Sequence, residues 1–233
     1  MELTVRQQQI LKKLVKEYIK TAQPVSSDLL KLEYFVDISP ATIRIELAEL
    51  TDRGFLEKPY VSGGRVPTDK GYRFFVDQLP QPKHSLEKRF NDLFSQLANT
   101  FNLAQRAASL LAENSSNLGM AYFEDLPCWK EGWQDLALAP EFENINYWRG
   151  FLKMVTELEQ QIPFIVKENQ TSEVQVFIGQ ECPCHNKDFS LILGEGWIGS
   201  NKSQRAVFTI AGPKRMDFHK NISLMNSLIE ALS

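Results

Sequence analysis

The stretch from Ser39 to Gly54 constrains the fold of this chain most, because it carries the marks of both ends of a helix. Ser39 is a favourable N-cap residue, and Pro40 suits the first helical position. Gly54 follows at a point where a helix can end in a left-handed conformation. We therefore predict a helix from Pro40 to about Arg53. Three of its apolar residues fall on one face: Ile43, Leu47 and Leu50.

Two helices are predicted ahead of this one. Thr4 and Gln7 have the spacing of a capping box, and apolar residues at helical intervals follow them as far as Pro24. Ser26 or Ser27 can cap a second, short helix. The chain is therefore expected to begin with three helices in close succession.

A β-hairpin is predicted directly after the third helix. A short strand over 55–58 precedes a turn that places Gly63, Gly64 and Arg65 at the tip of the hairpin, and a return strand follows. Three helices and a hairpin are the order of a winged helix-turn-helix domain, in which the third helix reads the major groove of DNA. We predict such a domain over residues 1–79.

The outer face of the third helix and the wing suit contact with duplex DNA. Arg44 can reach guanine or a phosphate, and Thr42 and Ile45 can contact thymine methyl groups. Arg65 suits a phosphate or the negative potential of a narrow minor groove. An ordinary amphipathic helix and a plain surface turn stay open as alternatives. The predicted DNA-binding residues are Ser39, Thr42, Arg44, Ile45, Lys58, Gly63, Gly64, Arg65 and Arg73.

Composition narrows the classes of function. The chain has 26 Lys and Arg against 29 Asp and Glu, a net charge of −3, whereas proteins that coat nucleic acid by bulk electrostatics carry a large positive excess. Cations for DNA must therefore be concentrated locally.

We find no phosphate-binding glycine loop, nucleophile motif or catalytic carboxylate pair, so we expect neither an enzyme nor a cofactor. Three cysteines without a leader peptide, and no apolar run near the ~18 residues of a membrane helix, predict a cytoplasmic protein.

The remainder of the chain is predicted to mix helices with a sheet. Pro80 and Pro82 mark a hinge, and linker helices are expected over 80–116. Helical spacing, apolar alternation and a closing helical stripe follow over 117–233. The predicted class is α+β, with an N-terminal winged helix-turn-helix domain, linker helices and a C-terminal α/β sensor-type domain.

A double seven-residue repeat runs through the linker helices. Leu86 and Leu93 recur in one series, and Phe90 and Leu97 recur in the other. This pattern suits pairing between two copies of the chain, so these four residues are the predicted dimer contact. Packing of the same helices on the chain's own C-terminal sheet is the alternative.

The segment Cys182-Pro183-Cys184-His185 holds two thiols and an imidazole, which zinc and copper accept as ligands. Structural zinc sites usually leave about two to four residues between the first two ligands, and only Pro183 separates these cysteines. We therefore predict a surface loop with two free thiols rather than a metal site.

Four segments carry a resemblance to a known family: SPATIR (39–44), GRVPTDKGYR (64–73), VFIGQE (176–181) and GPKRMD (212–217). The first two lie in an almost gap-free match that covers residues 1–79. On these segments the chain resembles the heat-inducible transcription repressor family HrcA. The resemblance implies a bacterial repressor of chaperone operons that binds an inverted-repeat operator as a homodimer and is tuned by the GroE chaperonin. It also implies a GAF-like fold for residues 117–233.

The chain departs from the family pattern in two ways. Ile45 stands where the family usually has a polar residue, and Tyr60, Val61 and Gly63 stand where it commonly has His, Thr and Ala. An inserted domain that the family carries between the positions of residues 122 and 132 is nearly absent. Two other functions therefore stay open: a ligand-sensing winged-helix regulator, and a protein-interaction module with a degenerate DNA site.

The repeat in the linker helices makes a prediction about assembly. If it forms the dimer contact, Leu93→Asp places a charge in the apolar seam, and sedimentation should detect a monomer. Ser95→Asp is the matched control, because Ser95 lies on the side of the repeat opposite the seam. A Leu93→Asp chain that still sediments as a dimer would exclude this contact.

Overall fold

The computed structural model describes residues 2–60, 63–80, 90, 100–124, 126–168, 174–184, 186–198 and 204–232, without the side chains of residues 100 and 163–168. Within these ranges helices are combined with antiparallel sheets, which confirms the predicted α+β class. The chain divides into two compact units, Met1–Pro80 and Gln81–Ser233. None of the described helices has the length and apolar character that a membrane span needs.

The first unit contains four described helices and a two-stranded sheet. In chain order these elements are α1 (Val5–Thr21), α2 (Ser27–Tyr34), α3 (Pro40–Asp52), β1 (Leu56–Glu57), β2 (Val66–Pro67) and α4 (Asp69–Asp77). The predicted start signals are confirmed, because Thr4 and Gln7 form a capping box and the side chains of Ser26 and Ser39 cap α2 and α3. Gly54 is left-handed beyond α3, with φ of 75°.

A buried polar contact joins α1 to α2. The hydroxyl of Tyr34 donates to the Glu17 carboxylate at 2.6 Å, and Glu17 is only 7% exposed. That hydrogen bond, with burial and the nearby negative charge, raises the pKa of Tyr34 to about 12. The ammonium of Lys13 lies 4.7 Å from the centre of the Tyr34 ring. A buried carboxylate is therefore satisfied by a donor from the neighbouring helix.

The second unit is built on a five-stranded antiparallel sheet. Its described elements are α5 (Thr100–Ser115), β3 (Leu118–Phe123), β4 (Trp129–Glu131), α6 (Trp133–Ala137), α7 (Ile145–Glu168), β5 (Gln175–Ile178), β6 (Phe189–Ile198), β7 (Gln204–Pro213) and α8 (Phe218–Glu230). The strand order is β4-β3-β7-β6-β5, so the two long strands β6 and β7 form its centre together with β3.

Helices cover both faces of this sheet. On one face α5 and α8 approach the strands closely: a Cβ on Gly119 would meet the backbone of Ala108, and one on Gly194 would meet the side chain of Met225. The other face packs against α7 through a core of apolar side chains that includes Phe151, Met154, Leu158, Leu191, Leu193 and Val207. Two layers of helix therefore enclose one sheet.

The predicted dimer contact is only partly described. Leu86, Leu93 and Leu97 lie outside the described residues. Phe90 is helical and 1% exposed, so its side chain is buried within the single chain. Where the repeat continues into α5, its members are also buried: Ala104, Ala107 and Leu111. Burial within the chain therefore accounts for the described part of the repeat.

The two cysteines of the Cys-Pro-Cys segment are not on the surface, contrary to the prediction. Cys182 is 1% exposed and its thiol donates to the carbonyl oxygen of Phe189 at 3.4 Å. Burial raises the pKa of Cys184 to about 11. Both thiols belong to the apolar core beneath α7, because the chain turns inward between β5 and β6. His185 lies outside the described residues, and the described part of the chain holds no group of three metal-ligating side chains.

The contact between Glu17 and Tyr34 predicts a pH-dependent stability. The folded-state pKa of Tyr34, about 12, lies above its ordinary value of 10. Its stabilisation is therefore fully present below pH 10 and is lost as the pH rises towards 12. At neutral pH, Tyr34→Phe should lower the free energy of unfolding by about 1–3 kcal/mol, because the buried carboxylate of Glu17 loses its donor.

Urea unfolding of wild type and variant across this alkaline range tests the prediction, since the difference between them should shrink as the pH rises. Tyr60→Phe is the matched control, because the Tyr60 side chain is 57% exposed and its loss of a hydroxyl should change little at any pH. A constant difference between wild type and Tyr34→Phe would contradict the assignment.

Candidate nucleic-acid interface

Helix α3 is anchored along one face. The predicted inner residues are at most 4% exposed: Ile43, Leu47 and Leu50. Polar side chains beside them tie α3 to α1, since Gln7 Nε2 donates to Glu49 at 2.6 Å and Arg53 Nη1 donates to Gln7 at 3.2 Å. Gln7 is 3% exposed, and both the nitrogen and the oxygen of its side-chain amide have a hydrogen-bond partner within the unit. These contacts fix how far α3 projects and how it is rotated about its axis.

The opposite face of α3 is open. Its exposed residues include Ala41, Arg44, Ile45 and Ala48. Ile45 is a large apolar side chain that is 61% exposed. Thr42 is half-buried, and its hydroxyl lies 2.9 Å from the hydroxyl of Ser39, which caps the helix. A helix face of small side chains with one arginine and one aliphatic group can approach the base edges of a major groove closely.

Arg44 is held by the helix before it. Its Nε donates to the hydroxyl of Ser27 at 3.1 Å, and its Nη2 lies 3.3 Å from a carboxylate oxygen of Asp28. The ion pair is open to solvent, because the side chains of Arg44 and Asp28 are 64% and 68% exposed. Exposed pairs of this kind are worth about 0.2–1 kcal/mol, so the guanidinium is oriented but still accessible to another acceptor.

The hairpin that follows α3 is braced against the connection between α1 and α2. Within it, Leu56 pairs with Pro67 and Glu57 pairs with Val66. Val25 forms a bridge to Arg65, the residue before the return strand, with two backbone hydrogen bonds of 2.9 Å.

Gly64 makes this bridge possible. A Cβ at Gly64 would lie 2.5 Å from the carbonyl carbon and oxygen of Val25. The absence of a side chain at this residue therefore lets the two backbones meet.

Arg65 does not lie at an exposed tip, contrary to the prediction. It lies directly before the return strand β2, in the bridge to Val25, and its Nε donates to the hydroxyl of Thr51 near the end of α3 at 2.9 Å. Burial lowers the pKa of Arg65 below its usual value, while the charge of Asp52 acts in the opposite direction. The bridge to Val25 turns this residue towards α3, so its first role in the fold is to connect the hairpin to that helix.

A cavity of about 380 Å³ forms where these elements meet. Its described lining consists of Val25, Ser26, Ser27, Asp28, Arg44, Leu47, Lys58, Gly63, Gly64 and Arg65. Five of the predicted DNA-binding residues are therefore brought together here. Three of them are cations, and Asp28 is the single acid among the described lining residues.

The other predicted residues lie elsewhere in the unit. Thr42 and Ile45 lie in the N-terminal part of α3 and Ser39 caps that helix, and all three are outside the lining of the cavity. Arg73 is on α4, where its Nη1 lies 3.5 Å from Asp77 one turn away. The predicted set therefore divides between the cavity, the outer face of α3 and a separate helix.

Two residues of this surface were not predicted. Ser27 and Asp28 contact Arg44 from α2, but in the sequence they look like ordinary members of a capped first helical turn. No local pattern marks them, because their partner is 16 or 17 residues away in the chain. The crossing of α2 and α3 alone brings them to Arg44.

Both units of the chain are similar to parts of known proteins. Residues 78–222 match the family model of the HrcA protein C terminal domain. The chain is 57% identical over 79 residues to the heat-inducible transcription repressor HrcA of Natranaerobius thermophilus, which is 34% of this chain and 23% of that protein. It is 41% identical over 117 residues to the repressor of the same name from Alkaliphilus metalliredigens, which is 48% of this chain and 34% of that protein. The chain thus spans only about a third or less of these curated relatives.

The chain is also similar in fold to a solved structure. A crystal structure of a hypothetical protein at 2.2 Å resolution superposes with a TM-score of 0.76 at 17% sequence identity, over 99% of this chain and 96% of the other. This likeness concerns the fold alone.

The hairpin provides a pair of matched substitutions. Gly64→Ala would force a Cβ into the backbone of Val25 and should lower the free energy of unfolding of the first unit by about 1–3 kcal/mol. The nearest atoms that a Cβ at Gly63 would meet belong to the ring of Tyr60, which is exposed and can rotate away, so the cost of Gly63→Ala should stay within about 0.5 kcal/mol. Urea unfolding of the two variants measures the difference. Equal effects would show that the bridge between Val25 and Arg65 does not hold the hairpin.

Proposed function

Because the chain belongs to the HrcA family, we propose that it is a transcription repressor that occupies a duplex operator with helix α3 and the hairpin β1-β2. In this proposal the first unit is a winged helix-turn-helix domain, α3 is its recognition helix and the hairpin is its wing. The single observation that carries the proposal is the open face of α3, held rigidly from behind, beside a cavity lined by Arg44, Lys58 and Arg65.

Each group on this surface has a distinct task in the proposal. Arg44 donates to a guanine in the major groove, and Ile45 contacts a thymine methyl group. Thr42 can contact a thymine methyl group beside Ile45, and Ser39, which caps α3, contacts the phosphate backbone, which the helix dipole favours. Lys58 neutralises a phosphate, and Gly63 allows the wing to approach the duplex closely. Gly64 contributes by letting the hairpin lie against the backbone of Val25.

Arg65 and Arg73 contribute positive charge near the duplex. The side chain of Arg65 contacts Thr51 and that of Arg73 contacts Asp77. In the proposal both arginines therefore attract the DNA phosphates through their positive charge and make no direct contact with them. The net charge of −3 makes this local concentration necessary, because the chain as a whole does not attract DNA.

Repression in the proposal requires two copies of the chain. A homodimer would place two α3 helices in successive major grooves, roughly 34–36 Å apart on one face of an inverted-repeat operator. The family resemblance extends the proposal to chaperone operons as the regulated genes and to the GroE chaperonin as a partner. Since the inserted domain of the family is nearly absent, the pairing surface must come from the residues that remain.

For the second unit we propose the GAF-like fold of the family. Its sheet carries α5 and α8 on one face and α7 on the other. In the described part, aromatic rings fill the layer beneath α7. The ring centre of Phe151 lies 5.2 Å from that of Phe142 and 5.1 Å from that of Phe189. This filling favours a structural role for the unit over the ligand-sensing alternative.

A second candidate function is a protein-interaction module. The observation that favours it is Ile45, because an aliphatic side chain that is 61% exposed on a helix suits an apolar partner as well as a thymine methyl group. The two candidates differ in whether the outer face of α3 prefers particular base pairs.

Two substitutions test the repressor proposal by fluorescence anisotropy with an inverted-repeat chaperone operator and a scrambled duplex across a salt series. Arg44→Ala should cost about 1–3 kcal/mol of operator binding, because a base contact is lost. Lys58→Ala should weaken binding to both duplexes and reduce the salt slope by about 1, because a phosphate contact is lost.

Arg149→Ala, an exposed arginine of the second unit, is the control and should change neither value. Operator affinity that is unchanged in both first-unit variants would refute the assignment of the interface.

A further inference from the structure

Asp28 is an acid in a place where a DNA-binding surface would be expected to have none. The described lining of the cavity has three cations, Arg44, Lys58 and Arg65, and this single carboxylate. A carboxylate so placed repels phosphates and therefore lowers the general affinity for a duplex.

The fold does not require this carboxylate. The N-terminus of α2 is already capped by Ser26, whose hydroxyl accepts from the backbone N–H of Leu29. Asp28 itself is 68% exposed, and an exposed acid in a first helical turn stabilises a helix only modestly. Its position is therefore better explained by what it contacts, which is Arg44.

The contacts of Arg44 occupy one edge of its guanidinium. Nε donates to Ser27 at 3.1 Å and Nη2 donates to Asp28 at 3.3 and 3.5 Å, so the edge formed by these two nitrogens is taken. The second edge of the guanidinium, formed by Nη1 and Nη2, points away from Ser27 and Asp28. Its Nη1 has no hydrogen bond to any residue that the structure describes. An arginine reads guanine with two parallel N–H bonds to O6 and N7, for which this second edge is suited.

We propose that Asp28, with Ser27, is a positioning residue that orients Arg44 towards a guanine and away from the phosphate backbone. The inference rests on the proposed function. The contacts with Ser27 and Asp28 restrict the rotamers of Arg44 before DNA binds, which lowers the conformational entropy lost when Arg44 contacts the base. The negative charge of Asp28 also disfavours the competing pose in which Arg44 binds a phosphate. Asp28 thus lowers the affinity for duplex DNA in general and raises the preference for guanine at one base pair.

Selection from a pool of random-sequence duplexes tests this inference and does not require the operator sequence. Wild-type protein defines the preferred sequence, and Arg44→Ala identifies the base pair at which the guanine preference is lost. Asp28→Asn keeps the shape of the side chain but removes its charge. It should lower the guanine preference at that same base pair by about fivefold, leave the other positions unchanged, and keep or raise the affinity for a scrambled duplex.

Glu33→Gln is the matched control, because it removes a carboxylate from the exposed side of the same helix and should alter no base preference. An Asp28→Asn variant that keeps the full guanine preference, or that loses preference equally at every position, overturns the inference while the repressor function stands. A wild-type chain that selects no sequence from the pool overturns the proposed function, and this inference with it.

Discussion

The packing of one face of α3 against the first unit determines which of its residues remain exposed. Ile43, Leu47 and Leu50 are removed from solvent, and the Gln7 network fixes the same helix against α1. Since an α-helix presents residues three and four apart on one side, this burial decides which residues are left on the outside. The groups available to a partner, Arg44 and Ile45 among them, follow from how the opposite face is packed.

Electrostatics at this surface are local and short-ranged. The chain is slightly acidic as a whole, yet three cations gather around one cavity because the bridge between Val25 and Arg65 brings the hairpin to the α2-α3 corner. Of these cations, Arg44 is held by Asp28, Arg65 is engaged with Thr51, and Lys58 is exposed. A surface of this kind favours specific contacts over bulk attraction, which suits a protein that must distinguish one site among many.

Features that depend on neighbours in the chain could be predicted from the sequence. The capping box at Thr4, the cap at Ser39 and the apolar stripe of α3 are all set by residues within one or two helical turns, and the structure confirms them. Features that depend on tertiary contacts could not. Arg65 forms a bridge to Val25 instead of lying at the tip of the hairpin. Cys182 is buried in the core. The sequences around both residues have the composition of surface turns. Asp28 acquires its contact with Arg44 only when α2 crosses α3.

Contact between the outer face of α3 and the bases of a duplex can be observed at the δ1 methyl group of Ile45. Ile45 and Ile145 are both 61% exposed, one on α3 and the other at the start of α7, so they form an internal pair for methyl NMR spectroscopy. On addition of the preferred duplex, the Ile45 resonance should shift and show contacts to thymine methyl protons, while the Ile145 resonance stays unchanged. A bound complex in which the Ile45 methyl resonance keeps its free-state position would contradict contact between α3 and the bases.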